Sequence, residues 1–355
     1  MKLYKILLLP ISLLYGLIIL IRNLFFDYGI FSSKPFKVPV IVVGNLSTGG
    51  TGKTPHIEYL VRVLKEQYNI AVLSRGYGRK TSGFILASME STAREIGDEP
   101  LQIKKKNPEI TVAVCASRVK GIKKILAEKE TTDAILLDDA FQHRHVKASL
   151  SILLTDYSRL YANDFMLPSG NLREFANGSA RADIIIVTKT PAIFSPLDRR
   201  FLIDRLHPKP NQKVFFSYTS YGKHLISVNT GQPAPFEKTY YFEKYAVLLI
   251  TGIANAANIE YYIKNQTENF RHIAFPDHHK YSSKDLKQIK NLFDNIAEEN
   301  KIIITTEKDA MRLMDAGLKE QASQLPILYL PIKVRFHNDD AEEFNTYILS
   351  HVKKN

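Results

Sequence analysis

The stretch Val40-Ile41-Val42-Val43-Gly44-Asn45-Leu46-Ser47-Thr48-Gly49-Gly50-Thr51-Gly52-Lys53-Thr54-Pro55 decides the fold. Residues 40–43 form a short apolar run between Pro39 and Gly44-Asn45, which is the pattern of a buried strand. Beyond the glycines, Ile57, Leu60, Val61 and Leu64 recur at the spacing of an amphipathic helix. A glycine-rich loop ending in Gly-Lys-Thr between strand and helix is a Walker A phosphate-binding loop. Its backbone N–H groups close around phosphate oxygens, and the helix N-terminus adds its positive dipole end. Ser47, Thr48, Gly49, Gly50, Thr51 and Gly52 then cradle a nucleotide, Lys53 reaches the β- and γ-phosphates, and Thr54 ligates Mg²⁺. Pro55 sits in the first turn, where its missing N–H costs nothing. Ser47 stands where the usual loop has its first glycine. A plain glycine-rich connector would leave Lys53-Thr54 at the helix start without a reason.

Working outward, further apolar runs occur at 70–73, 110–114, 134–137, 150–154 and 184–187, separated by segments of helix length. Strands that are continuously apolar imply a mostly parallel sheet with helices on both faces, an α/β fold of the P-loop NTPase type. Ile135-Leu136-Leu137-Asp138-Asp139 is an apolar strand ending in two carboxylates, the Walker B arrangement, with either aspartate placed near Mg²⁺. Gln142-His143-Arg144-His145 follows on the same sheet edge, where ligands of α/β folds bind. A stretch rich in Pro, Gly, Tyr and Lys at 205–243 breaks the rhythm, which resumes at 246–251 and continues through 302–305 and 327–330. The spacing therefore predicts an anchor helix at 1–26, a P-loop core at 27–205, a linker with short hairpin strands at 206–243 and a smaller α/β domain at 244–355.

At 355 residues the chain is long enough for about two domains. Hydrophobic residues at 45% and charged residues at 24% argue against disorder and against a polytopic membrane protein. The single cysteine, Cys115, follows an apolar run, is expected in the core and excludes an internal disulfide framework. The net charge of +12 calls for an anionic partner: nucleic acid, a membrane surface or a phosphorylated substrate. The N-terminus helps to choose. Residues 3–21 are apolar apart from Lys5, Pro10, Ser12 and Gly16, and would span about 28 Å as a helix. Residues 1–40 carry five bases, Lys2, Lys5, Arg22, Lys34 and Lys37, against Asp27 alone. The sequence at 21–26 offers no small-residue cleavage site, so an uncleaved anchor is expected, spanning or partly inserted. Because it precedes the first strand, its removal is expected to leave the P-loop core foldable.

Five segments occur in order: the loop itself, Leu73-Ser74-Arg75-Gly76-Tyr77-Gly78, Gly97-Asp98-Glu99-Pro100, Asp138-Asp139-Ala140-Phe141-Gln142-His143 and Phe275-Pro276-Asp277-His278-His279. The set resembles the tetraacyldisaccharide 4′-kinases, the lipid A 4′-kinases of Gram-negative bacteria. Leu172-Arg173-Glu174 and Thr306-Glu307-Lys308-Asp309-Ala310 are similar to segments of that family, and the likeness runs to about residue 310. Ala140 stands where the family usually has Gly, and Phe175 where it usually has Pro.

The resemblance implies transfer of phosphate from ATP to the 4′-hydroxyl of a tetraacylated glucosamine disaccharide 1-phosphate, giving lipid IVA and ADP. It implies an inner-membrane enzyme that meets inner-leaflet lipids and faces the cytoplasm. Asp98 is then the base that deprotonates the acceptor hydroxyl, paired with a histidine of Asp277-His278-His279, His278 being preferred to His279. The pair would have to meet in a cleft between domains that closes over the acceptor. Lys53 and Arg173 serve the phosphate side, and Asn45, Arg75, Glu99 and His143 are candidate substrate contacts.

A membrane-associated switch ATPase acting on a protein partner is the competing reading. Closely related switch loops put lysine where this chain has Thr48, and they have no use for an acceptor pair at Asp98 and His278. A nucleic-acid-binding ATPase would explain the +12 charge, yet no aromatic–basic RNA motif stands out and the apolar anchor would be left unexplained. No nucleic-acid partner is expected.

Overall fold

The computed structural model describes residue 5 and residues 7–314 and 317–354. Lys2 and Leu3, which open the apolar N-terminal segment, and Asn355 lie outside the described residues. The strands are β1 (Val40–Asn45), β2 (Ile70–Ser74), β3 (Ile85–Leu86), β4 (Thr111–Val114), β5 (Ala134–Asp138), β6 (Leu150–Asp156), β7 (Ile184–Thr188), β8 (Lys213–Tyr221), β9 (His224–Ser227), β10 (Pro233–Glu237), β11 (Ala246–Thr251), β12 (Phe270–Ala274), β13 (Lys301–Thr305), β14 (Ile327–Tyr329) and β15 (Ile332–Phe336). They build a nine-stranded sheet of order β15-β8-β7-β6-β1-β5-β2-β4-β3 and a six-stranded sheet of order β10-β9-β14-β13-β11-β12.

In the large sheet β1 lies between β5 and β6, parallel to both, and only the edge strands β3 and β15 run antiparallel to their neighbours. The side-chain alternation of a strand explains its apolar run. Ile41 and Val43 pack with Ile57, Leu60, Val61 and Leu64 of the helix Lys53–Leu64. Val40 and Val42 pack on the opposite face, in one cluster with Ile122 and Ile125 of the helix Arg118–Glu128. Cys115 is buried in that second layer. In the small sheet β11, β12, β13 and β14 are parallel, and the β9–β10 hairpin closes one edge.

Two segments cross the boundaries read from the sequence. β8 lies within the stretch read as a linker, yet it pairs with β7 in the large sheet and buries Phe215 and Phe216 there. β15 returns from the smaller unit to pair with β8, and the C-terminal helix Asp340–Lys354 packs behind it through Phe344, whose ring stacks on Phe336 with centroids 4.7 Å apart. β15 is an edge strand with Lys333 and Arg335 facing out, so its alternation carries no sign of which sheet it joins.

The helix Leu9–Asp27 is the one described helix long and apolar enough to cross a membrane, with a mean hydropathy of 1.9. Ile11, Leu13, Leu14, Leu17 and Ile18 are exposed, whereas Ser12, Gly16 and Phe26 are buried against the body. Polar contacts also join the helix to the body. Ser169 donates its N–H to Ser12 Oγ at 3.0 Å and its hydroxyl to the Lys5 carbonyl at 2.8 Å.

Candidate active site

β1 delivers the chain to the phosphate loop, and the loop is tied down from several sides. Gly44 must be glycine, since a Cβ there would lie 2.7 Å from Phe141 Cβ. Gly49 and Gly52 have φ of +100° and +88°, the left-handed region that glycine enters without penalty. Gly52 is the N-cap of the helix that begins at Lys53. Asn45 Nδ2 donates to Thr51 Oγ1 at 2.9 Å, and Thr188 Oγ1 donates to the Thr51 carbonyl at 2.9 Å. Lys189 reaches the Gly50 carbonyl, and Arg159 Nη2 the Thr48 carbonyl at 2.9 Å. Ser47 forms a bridge with Leu172, and Thr48 N donates to the Asn171 carbonyl at 2.8 Å. Behind the loop, buried His56 contacts the Gly52 carbonyl at 2.7 Å and Ser217 Oγ at 3.0 Å, and burial pushes its imidazole down to about 4.

The parallel register sets Asp138 opposite Val43, at the level where the loop begins. Asp138 is fully buried. Ser74 Oγ donates to its Oδ2 at 3.2 Å, while Oδ1 has no partner. Burial, then the charges of Glu99 and Asp139, push its carboxyl up to about 7. Asp139, at φ +46°, turns outward. Its Oδ1 lies 3.6 Å from Lys53 Nζ, and Arg173 Nη1 donates to Oδ1 and Oδ2 at 3.0 and 3.2 Å. Burial works against ionisation of Asp139, but Lys53 and Arg173 outweigh it and hold the carboxyl below its usual range. The orphaned Asp138 oxygen and the buried Thr54 suit a divalent cation. No group of three or more His, Cys, Asp or Glu side chains among the described residues could hold one alone, so phosphate and water would complete the shell, as Mg²⁺ prefers.

A cationic flank adjoins these carboxylates. Arg118 is buried, donating from Nη2 to the Asp138 and Asp139 carbonyls at 3.0 and 3.4 Å. His143 is driven down to about 4 by burial, then by Arg118 and Arg75. Arg75 is itself exposed. Gln142 Nε2 donates to the Asn45 carbonyl at 2.8 Å and to Glu174 Oε1 at 2.9 Å. Sequence reading missed Arg118, because an arginine opening a helix ordinarily points to water.

The acceptor candidates meet between the two sheets. Gly97 has φ +94°, and a Cβ there would lie 2.9 Å from the Tyr77 carbonyl; the helix Asp98–Lys106 begins next. Asp98 Oδ1 accepts from the Glu99 N–H at 3.0 Å, and Oδ2 lies 3.4 Å from His278 Nδ1. Arg312 donates to the same Oδ2 from Nη2 at 2.5 Å and Nε at 3.1 Å. Burial resists ionisation of Asp98, but His278, Arg312 and Lys308 together hold the carboxyl far below its usual range. Asp98 in turn raises the His278 imidazole. His279 is not part of this meeting. Its ring stacks on Phe275 at 4.6 Å and its Nε2 sits 3.1 Å from Asp285 Oδ2. Glu99 is bound by Lys308 from the helix Glu307–Leu313. Arg312 also escaped the sequence reading, although it follows Asp309 at helical i,i+3 spacing and pairs with it at 2.9 Å.

The comparisons agree with one another. A profile of the tetraacyldisaccharide-1-P 4′-kinase family matches residues 4–353. The tetraacyldisaccharide 4′-kinase of Bacteroides thetaiotaomicron is 44% identical over 98% of this chain and 93% of its own length. That of Flavobacterium johnsoniae is 45% identical over 100% of this chain and 99% of its own. The crystal structure of LpxK from Aquifex aeolicus in complex with ATP superposes with a TM-score of 0.75, at 29% identity over 99% of both chains.

Proposed function

Since the chain belongs to the tetraacyldisaccharide-1-phosphate 4′-kinase family and is an ATP-dependent kinase of lipid A biosynthesis, we propose the following division of labour among its residues. The loop from Ser47 to Thr54 holds the ATP phosphates, with Lys53 on the β/γ side, where negative charge builds as the bond to the leaving oxygen lengthens. Thr54 and the aspartates at 138 and 139 serve Mg²⁺, which when bound neutralises phosphate charge. Arg173 steadies Asp139 and faces the transferred phosphoryl group. Arg75 and His143, beside Arg118, form the flank that receives the anionic acceptor.

The proton of the 4′-hydroxyl needs a taker. Both Asp98 oxygens are engaged, Oδ1 by a backbone N–H and Oδ2 by Arg312 and His278 Nδ1. Arg312 Nη2 also lies 3.3 Å from His278 Nδ1. With the ring proton on Nδ1 and directed at Asp98, His278 Nε2 rather than Asp98 itself is the group that accepts the hydroxyl proton, and Asp98 orients it. The 4′-oxygen then bonds to the γ-phosphorus, the bond to the β,γ-bridging oxygen breaks, and ADP leaves. The observation that carries this reading is the 3.4 Å approach of Asp98 to His278, which a switch ATPase would not require. The smaller unit, which carries β9 to β14, closes the acceptor side of the large-sheet core, and residues 1–26 anchor the enzyme in the inner membrane with its site facing the cytoplasm. There it meets a tetraacylated disaccharide 1-phosphate among inner-leaflet lipids. Incubating the purified chain with Mg·ATP and tetraacyldisaccharide 1-phosphate in detergent should yield a lipid heavier by one phosphate. An unchanged lipid mass, with a control kinase active in the same micelles, would refute it.

A further inference from the structure

The N-terminal helix is more closely tied to the phosphate site than an anchor needs to be. Its exposed apolar side faces away from the body, and its opposite side carries Ser12, Tyr15, Gly16 and Asn23. Three consecutive residues of the chain receive this side. Tyr15 donates its hydroxyl to the Arg173 carbonyl at 3.1 Å. Asn23 Nδ2 donates to Glu174 Oε2 at 3.1 Å. The Phe175 ring lies so close to Gly16 that a Cβ there would sit 2.5 Å from Cζ. The Phe175 ring occupies the space that Gly16 leaves.

The same three residues are the far end of a short path into the catalytic centre. Arg173 N donates to the Leu46 carbonyl at 2.7 Å, and the Asn171 carbonyl accepts from Thr48 N. The segment 171–173 is thus laced to the first residues of the phosphate loop. Buried Glu174 takes Gln142 Nε2 on Oε1, and Gln142 in turn reaches the Asn45 carbonyl at the end of β1. Arg22 of the helix donates to the Gln142 carbonyl at 2.9 Å. We propose that the N-terminal helix is a positioning element of the active site: through Tyr15, Gly16 and Asn23 it seats residues 173–175, and so holds Arg173 on Asp139 at the mouth of the phosphate loop. The inference rests on the reading of Arg173 as the cation on the phosphate side.

Full-length variants in detergent micelles test this. Gly16→Val stays apolar, so co-sedimentation with phospholipid vesicles should be unchanged, while kcat falls about tenfold as the new methyl groups displace the Phe175 ring. Adding Phe175→Ala vacates that space and should recover most of the loss. Tyr15→Phe, which removes one hydroxyl and is safe for folding, should lower kcat several-fold with the KM for lipid unchanged. Amide exchange at 171–175 should quicken in Gly16→Val and return in the double variant, and this reads the seating whether or not Arg173 is catalytic. Wild-type kcat with weakened vesicle binding in Gly16→Val and Tyr15→Phe would make the helix an anchor alone. Unchanged exchange would also overturn the coupling. Wild-type kcat in Arg173→Ala, with exchange behaving as expected, would instead remove Arg173 from the reaction and leave the seating intact.

Discussion

Arg312 grips Asp98 across the boundary between the two sheets, with Nη2 2.5 Å from Oδ2, while its Nη1 is held by the Gly252 carbonyl at 2.8 Å and Asp309 Oδ1 at 2.9 Å. A cation fixed to the smaller unit thus receives a carboxylate fixed to the larger. Lys308 repeats the arrangement on Glu99, and Lys106 joins Glu58 at 2.6 Å to Glu307 at 2.9 Å. Three cation–carboxylate contacts, Arg312 with Asp98, Lys308 with Glu99 and Lys106 with Glu307, therefore join the two units at this boundary.

Arg312 should set the pH at which the enzyme switches on. Asp98 raises the His278 imidazole and Arg312 lowers it; Asp277 also faces the ring, and Lys308 faces Asp98. Arg312→Gln removes a positive charge, so Asp98 and His278 both become more basic. More of the imidazole is then protonated at neutral pH, and the acid limb of kcat/KM should move to higher pH, with kcat down about tenfold or more. Arg312→Lys should keep most of the limb in place. Loss of activity with an unmoved limb would reduce Arg312 to packing.

Asp98 and His278 should fail together. Either alanine variant should lose about 10²–10⁴ in kcat with little change in ATP affinity, because neither residue lies in the phosphate loop. The double variant should resemble the worse single one, since an imidazole without its orienting carboxylate has little left to contribute. A multiplicative loss would mean two independent roles. His279→Ala should stay active, because that ring is committed to Phe275 and Asp285.

How much of this was legible beforehand depended on whether the signal was local. The loop could be read because strand, glycines, Lys53 and helix are contiguous, and β1 and β5 because burial on both faces leaves a continuous apolar run up to the polar residues at their C-terminal ends. The roles of β8 and β15 could not be read. Val214, Phe215 and Phe216 sit among Pro, Lys and Tyr, and the pairing of 332–336 with 217–221 is a contact between distant segments that no local pattern encodes. Among the site residues, Asp98 and His278 came from resemblance, and spacing alone does not separate His278 from His279. Arg312 and Arg118 were invisible for one reason: a buried arginine is identified by its acceptors, here Asp98 for one and the backbone carbonyls of Asp138 and Asp139 for the other.

Lys53 should matter more to transfer than to binding. Its ammonium waits 3.6 Å from Asp139 and is needed where charge accumulates on the γ-phosphate in the transition state. Lys53→Ala should cost on the order of 10²–10³ in kcat, with a smaller change in the KM for the lipid. Near-normal turnover, measured by transfer of labelled phosphate, would place the chemistry elsewhere.

His56 should make the fold acid-sensitive in a defined window. Its imidazole spans the Gly52 carbonyl and Ser217 Oγ, so it joins the start of the loop helix to β8 while buried. Burial lowers its pKa from the ordinary histidine value of 6.5 to about 4, so the unfolded chain binds a proton that the folded chain refuses. The folded state is at full advantage above about pH 6.5 and loses it as the pH falls towards 4, about 3 kcal/mol in all. His56→Gln keeps a hydrogen-bonding side chain in the site but cannot take up the proton. It should be less stable than wild type at pH 7.5, through imperfect packing, and should close that gap as the pH is lowered to 5. Urea denaturation of both proteins at the two pH values measures the difference. A gap that stays constant would show that the imidazole titrates alike in the folded and unfolded chains, and that the carboxylates alone carry the acid sensitivity.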